Sequence, residues 1–499
     1  MAERSPPKAQ GQENAPRTTP SPRKREIDPG STSTAKSKSL ATLSPNVEPD
    51  SGRHLSLQAT SVLTHAAPSW HTRHLKLPFD LRDHNVKIDA DVRRVLSEIF
   101  PNTVSILVGG NRIYLHFTVK ELPETPWPLT IAGLPITIGD EMGNGKDVMF
   151  PKTTTGNMSI RICEDIDARF MSFKTQAFRS LADTATRAIL TCVPELAVIE
   201  FILDAERKFH VVLEDSVDVK SIWARLPGRI AKCWTMYLFE KDLCRPDMRD
   251  RKALRQKMPN AEQSIVDDTA YDVLRPGVLI SIFAFDDASR RDFYSTSSGV
   301  LVKNGADDKF MTGASHGIAE TETVHQTLSS GDQRVVGRAV AELSFTDISL
   351  IQLQPQVEFV NEAFEQEGEP VPPFTTLLGE DMNDEIDMMQ SVFFNSPQTG
   401  AMEGLVMAKG WKIHNRGSEK THPREAELEY VVYDWVYLGQ NESPPNVSII
   451  PDGSRGSAIW DDLGRIIGFF HYHLTVGSFK GFYTSVSADE VVKAGYRLA

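Results

Sequence analysis

The pattern of apolar and polar positions changes character twice along the chain. Residues 1–72 have no sustained periodicity, nine Pro, many Ser and Thr, and almost no aromatics. Such a stretch cannot bury enough apolar surface to offset its ordering entropy, so it reads as a disordered tail. Arg23, Lys24 and Arg25 beside Ser21-Pro22 form a small basic cluster. It reads as a solvated charge run, with a nuclear-import signal as the alternative.

From residue 73 to about 265 helical and strand periods mix. Asp89 is placed to cap a helix whose apolar positions Val92, Val95, Leu96, Ile99 and Phe100 share one face. TVSILV (103–108) and RIYLHFTV (112–119) flank Gly109-Gly110 and predict a hairpin. FRSLADTATRAIL (178–190) predicts a helix. AVIEFIL (197–203) and KFHVVLE (208–214) bracket a turn, and DVKSIWARL (218–226) is a further helix candidate. This is the expected α/β domain. Gly109-Gly110 and the glycines at 143 and 145 lack the following helix that a phosphate loop needs, so they read as turns.

Residues 266–499 change again. Short apolar stretches at close spacing predict strands at 278–285, 298–303, 309–314, 349–353, 403–410, 428–439, 464–472 and 481–486, with turn residues between them. That rhythm belongs to all-β barrels or sandwiches. The stretch 365–388 is linker-like, so the region divides into a first β unit (266–364), an acidic linker (365–388) and a second β unit (389–499). The expected fold class is therefore α+β and multidomain: a disordered tail, an α/β domain, and a C-terminal all-β part.

Charge sharpens this division. The chain of 499 residues carries a formal charge of −13. Residues 339–408 contain 13 acids and no Lys, Arg or His, so the remaining 54 acids match the 54 bases. The imbalance is regional, and apart from Asp347 these acids read as a solvated linker and its flanks. An acidic chain of this kind makes direct nucleic-acid binding an unlikely partnership. No apolar run approaches the ~20 residues that span a membrane, and the first residues lack the apolar core of a secretory signal. The four cysteines, Cys163, Cys192, Cys233 and Cys244, have no metal-ligand spacing. The expectation is an intracellular chain, cytoplasmic or nuclear, with no metal and no cofactor.

Three segments carry chemistry. In MTGASHGI (311–318) a strand of small residues ends at His316, where a general base would be held rigidly. In FTDISLIQL (345–353) Asp347 precedes an apolar strand, a place from which a carboxylate could fix an imidazole tautomer. In PDGSRGSAIW (451–460) Gly453 and Gly456 frame a tight turn whose backbone N–H groups could converge on an oxyanion. Each taken alone fits a bland role: a structural histidine, a turn aspartate, a glycine-rich hairpin.

Taken together, SGVLV…KFMTGASHG, TDISLIQL, GSRGSAIW, GRIIGFF and KGFYTSVSADEVVKAGY resemble, in order and spacing, the chymotrypsin-like (trypsin-fold) serine peptidases. The match covers roughly residues 275–499, and the architecture as a whole is similar to that of some fungal proteins. The resemblance implies a double β-barrel of trypsin-like type. It puts His316 at the general base, Asp347 at its orienting acid, Gly453 at the oxyanion glycine, Ser454 before the nucleophile, and Gly456 and Ser457 after it. The nucleophile position itself holds Arg455, whose guanidinium stays protonated and has no nucleophilic lone pair. The cysteine that follows the family's histidine is here Gly317. His471 and Tyr472 end the strand that would line a substrate pocket and Phe482 would close it, with barrel packing as the plainer account.

Two readings follow. In one the chain is a non-catalytic peptidase homologue, with His316 and Asp347 vestigial. It binds a peptide or protein partner, one with an acidic motif if Arg455 supplies a fixed cation. In the other it is an active serine endopeptidase that uses Ser457 or Ser454 after a shift in register.

Overall fold

The computed structural model describes residues 74–499 apart from 110–111, 113, 124–126, 129, 143–144, 147–153, 170–174, 246–268, 287–289, 319–322, 328–332, 344–345, 365–372, 382–383, 385, 398, 415–427, 437–449 and 451–452. The expected tail, its basic cluster and the first part of the acidic linker lie outside the described residues.

The described residues open with β1 (His74–Leu75), α1 (Ala90–Ser97), β2 (Thr103–Gly109), β3 (Tyr114–Val119), β4 (Thr130–Ile131), β5 (Leu134–Asp140) and β6 (Gly145–Lys146). Sheet order is β1-β4-β5-β3-β2, with β6 on β5. The Asp89 carboxylate accepts the Val92 N–H at 3.0 Å, which supplies the expected helix cap. Leu96, Ile99 and Phe100 are buried in the core against the sheet with Val92 packed beside them, Val95 is also buried, and β2 and β3 form the expected antiparallel hairpin.

Next come β7 (Thr154–Thr155), β8 (Asn157–Ile162), α2 (Thr175–Cys192), β9 (Val198–Asp204), β10 (Lys208–Leu213), β11 (Pro227–Ile230) and β12 (Cys233–Phe239). Phe178, Leu181, Ala182, Ala185 and Ile189 of α2 recur at helical spacing and share a core with Phe201 and Phe209 of β9 and β10. The helix expected over 218–226 is shorter. Asp218 caps one α-turn, Val219–Ile222, and a 3-10 turn, Trp223–Arg225, follows. Pro227 forces Leu226 into extended backbone and ends it.

The last part contains β13 (Val273–Leu274), β14 (Leu279–Asp286), β15 (Arg290–Lys303), β16 (Lys309–Ala314), β17 (Thr323–Thr327), β18 (Gln333–Leu343), β19 (Ile348–Leu353) and β20 (Glu358–Phe359). Then follow β21 (Ser391–Ser396), β22 (Gly400–His414), β23 (Leu428–Val436), β24 (Ala458–Trp460), β25 (Ile466–His473), β26 (Phe482–Ser487), α3 (Asp489–Lys493) and β27 (Arg497–Leu498). Strands β14-β17-β18-β19-β16-β15 close on themselves through β14–β15, and β21-β24-β25-β26-β23-β22 close through β21–β22. All these pairings are antiparallel. Two closed six-strand barrels therefore form the double-barrel fold that the resemblance implies. Strands β17, β18 and β21 were not legible in the sequence, because charged, polar or small residues interrupt their alternation.

The boundary expected at 265 lies outside the described residues, and strand pairing links the parts on either side of it. Strand β22 is 15 residues long. Its first part pairs with β21 and closes the barrel, while Ala408–Lys412 pair with Asp204–Glu200 of β9. The register with β23 shifts between Val406 and Ala408, a bulge that bends the strand where it passes from one sheet to the other. One hydrophobic core accordingly joins α2, β9 and β10 to residues of both barrels.

The acidic window needs a correction too. Its second half is packed against the barrel and is not a solvated linker. Leu377 and Leu378 are fully buried, and the Leu378 N–H donates to the Ile466 carbonyl at 2.8 Å. Glu380 accepts the N–H groups of Leu377 and Leu498, and Asp384 accepts the Gly379 N–H and pairs with Arg465 at 2.9 Å. Glu403 is 3 % exposed. All four cysteines are free thiols. Among the described residues no helix is long and apolar enough to cross a membrane.

A buried charge cluster fixes the C-terminal helix. Arg179 of α2 pairs with Asp489 at 2.8 Å and with Glu490, whose Oε1 also accepts the Val431 N–H. Removing the guanidinium would leave Asp489 without this partner and Glu490 with only Lys493, at 3.2 Å, and the Val431 N–H. Arg179→Ala is expected to cost about 3–5 kcal/mol of unfolding free energy in urea titration. A loss below 1 kcal/mol would show that the carboxylates find other partners.

Candidate functional site

The site lies where the two barrels meet. Strands β16 and β19 pair in antiparallel register, with Ala314 opposite Ile348. Their adjacent ends carry His316, on a 3-10 turn (Ser315–Gly317), and Asp347, just before β19. The Asp347 backbone is left-handed, at φ 63°. That strained conformation turns its carbonyl to the Ser315 N–H at 2.9 Å and its carboxylate to His316. Asp347 Oδ1 accepts the His316 N–H at 2.7 Å, and Oδ2 lies 2.6 Å from His316 Nδ1. The carboxylate thus holds the proton on Nδ1 and directs Nε2 away from itself.

The second barrel presents the turn 453–457 to this pair. The Arg455 carbonyl accepts the Ser297 N–H at 2.8 Å and the Thr296 hydroxyl at 2.6 Å. The Gly453 carbonyl accepts the Ser297 hydroxyl at 2.9 Å. The Gly456 N–H donates to Phe470 on β25. Gly456 has φ 88°, and a Cβ there would lie 2.7 Å from the Ala314 nitrogen. Only glycine lets the turn approach the first barrel this closely.

Locked in this way, the turn brings Arg455 Nη1 to 3.5 Å from His316 Nε2, a long contact. The structure therefore brings His316, Asp347 and Arg455 together. Ser454 and Ser457 sit on the same turn, yet both hydroxyls are buried without a hydrogen-bond partner. Neither reaches the imidazole. Gly453 and Gly456 both adopt positive φ, as a tight turn of this kind requires.

Sequence reasoning missed the role of a third side chain. His471, buried on β25, places Nε2 3.0 Å from Asp347 Oδ2, the oxygen that also faces His316. Burial pushes the His471 imidazole down to about 4 despite the carboxylate beside it, so it stays neutral near pH 7. Burial works against the Asp347 charge, but the two imidazoles hold its carboxyl well below the usual carboxylate range. The strand alternation marked His471 only as a packed position. Its neighbours also pack inward. Tyr472 Oη accepts the Lys412 ammonium at 2.8 Å, and Phe482 stacks edge-on against Phe479.

No protein-family model matches the sequence, and a search of curated proteins gives no match. Solved structures do match. A glutamic acid-specific serine protease is 13 % identical, with 45 % of this chain and 100 % of that chain covered, at a TM-score of 0.30. Thermobifida fusca Protease A is also 13 % identical, over 46 % of this chain and 98 % of its own, at 0.28. A Cellulomonas bogoriensis chymotrypsin is 14 % identical, over 46 % and 99 %, at 0.28. At these scores the statement about fold rests on the strand order of the two barrels.

The neutral state of His471 has a consequence for stability. Between pH 6.5 and about 4 the unfolded chain takes up a proton that folded His471 refuses, so this group removes stability as pH falls through that window. His471→Asn is expected to abolish that component, so wild type should lose about 3 kcal/mol relative to the variant between pH 7 and pH 4. Urea unfolding at pH 7, 5.5 and 4 measures it. A wild-type-minus-variant difference that does not change with pH would mean that His471 is protonated in the folded state.

Proposed function

We propose that this chain is a non-catalytic serine-peptidase homologue that binds peptide or protein segments bearing an acidic group. One observation carries the reading: the Arg455 guanidinium occupies the space in front of His316 Nε2, at 3.5 Å, where a peptidase needs a hydroxyl. A guanidinium cannot attack a carbonyl, but it binds carboxylate or phosphate through paired N–H donors. His316 and Asp347 then act as scaffold, buttressing the turn that carries Arg455. The four free thiols fit a reducing compartment and the intracellular setting expected from the sequence. The alternative, a shifted serine nucleophile, finds no support in the placement of Ser454 or Ser457, whose hydroxyls do not hydrogen-bond His316.

Two measurements test the proposal. Fluorophosphonate should not label the wild-type chain under conditions that label an active serine peptidase. Labelling that disappears in Ser457→Ala or Ser454→Ala, and in His316→Ala, would overturn the non-catalytic reading. On a peptide array, binders should be enriched in Asp, Glu or phosphorylated residues, and Arg455→Glu should weaken them by about tenfold or more. Unchanged affinity in that variant would remove the cation from the binding model.

A further inference from the structure

A second site lies away from the barrel junction. A cavity of about 410 Å³ opens between the N-terminal sheet and the rim of the second barrel. This volume is in the range of small-molecule sites. Leu75, Leu77 and Phe79 of the N-terminal part face Met389 and Leu405 of the barrel across it. A polar network ties the two walls together. His74 Nδ1 lies 2.9 Å from Thr130 Oγ1, and Nε2 lies 3.1 Å from Glu403 Oε1. The Ser391 hydroxyl donates to the same Glu403 oxygen at 2.8 Å. The glutamate is buried beneath the wall, so His74 and Ser391 are held from behind.

The charges of this cavity are nearly balanced, and the exception indicates its ligand. His74 faces the Glu403 carboxylate. Arg82 is engaged by Asp80 through both Nε and Nη2, and this pair lies against Gly133, whose φ is 83°. A Cβ at 133 would come within 2.6 Å of the pair, so a glycine there leaves it room beside the cavity. Among the described residues Lys76, exposed on the cavity wall, is left with no carboxylate partner. One uncompensated ammonium beside a chamber whose walls are polar and apolar in about equal measure, with the Thr130 and Ser391 hydroxyls and the His74 imidazole set against Leu75, Leu77, Phe79 and Met389, suits a ligand of matching make-up. A nucleotide carries too many charges for one cation, and an amine would meet Lys76 with like charge.

We infer that this cavity binds a small amphipathic anion, an apolar body with a single carboxylate head directed at Lys76. The inference is independent of the barrel-junction site. Octanoate, octanol and octylamine, titrated into the full chain by calorimetry at equal ionic strength, test it. Octanoate should bind saturably, octanol about fivefold more weakly, and octylamine more weakly still. Lys76→Glu, a change at an exposed residue, should reduce octanoate affinity by at least about fivefold and leave thermal unfolding unaltered. Leu405→Trp should fill the chamber and abolish binding of all three, with Met389→Phe as the second variant if the first fails to fold. Arg455→Glu should have no effect. Absence of saturable octanoate binding would overturn the inference. So would octylamine binding as well as octanoate, or affinity unmoved by both Lys76→Glu and the filling variants.

Discussion

The junction of the two barrels depends on one buried charge. A carboxylate withdrawn from water is tolerated only when hydrogen bonds and opposite dipoles replace its hydration. Asp347 meets that demand with groups from both barrels: the backbone and imidazole of His316 from the first, and the His471 ring from the second. Its left-handed backbone is strained, and the surrounding contacts hold it there. Because three groups converge on two oxygens, the end of β16, the start of β19 and the middle of β25 have little freedom to move apart. The turn bearing Arg455 is then fixed by its carbonyl bonds to Thr296 and Ser297. A site of this kind is rigid before any ligand arrives.

That rigidity also bears on the Arg455 guanidinium, which lies 3.5 Å from His316 Nε2. A long side chain on a loose loop would sweep through solvent and lose entropy on binding. Here the backbone on either side of Arg455 is bonded to the opposite barrel, so less of that cost falls on recognition.

The remaining architecture rests on β22. Its two halves belong to different sheets, and the bulge at Met407 lets one strand bend between them. Glu403 lies in its first half and supports the network beside the N-terminal cavity. Among the described residues the acidic window thus contains three kinds of acid: Asp347 at the junction, Glu380, Asp384 and Glu403 as bonded structural acids, and exposed ones such as Glu358, Asp381 and Asp387. The regional charge gave no means of telling them apart.

Much was legible from local pattern. The capped helix at Asp89, the hairpin at 103–119, the α2 face and most barrel strands follow from spacing alone, because periodicity records which side of an element is buried. The order His316, Asp347, Gly453–Gly456 and the presence of Arg455 were also visible, since turn chemistry and residue identity are local properties. What only the tertiary structure decided are contacts between residues far apart in the chain. His471 lies more than a hundred residues from Asp347, β9 pairs with a strand two hundred residues later, and His74 reaches Glu403 across the cavity. No periodicity encodes such partners. They are chosen by which arrangement buries the apolar faces while leaving each buried charge satisfied, and that choice is made by the whole chain at once.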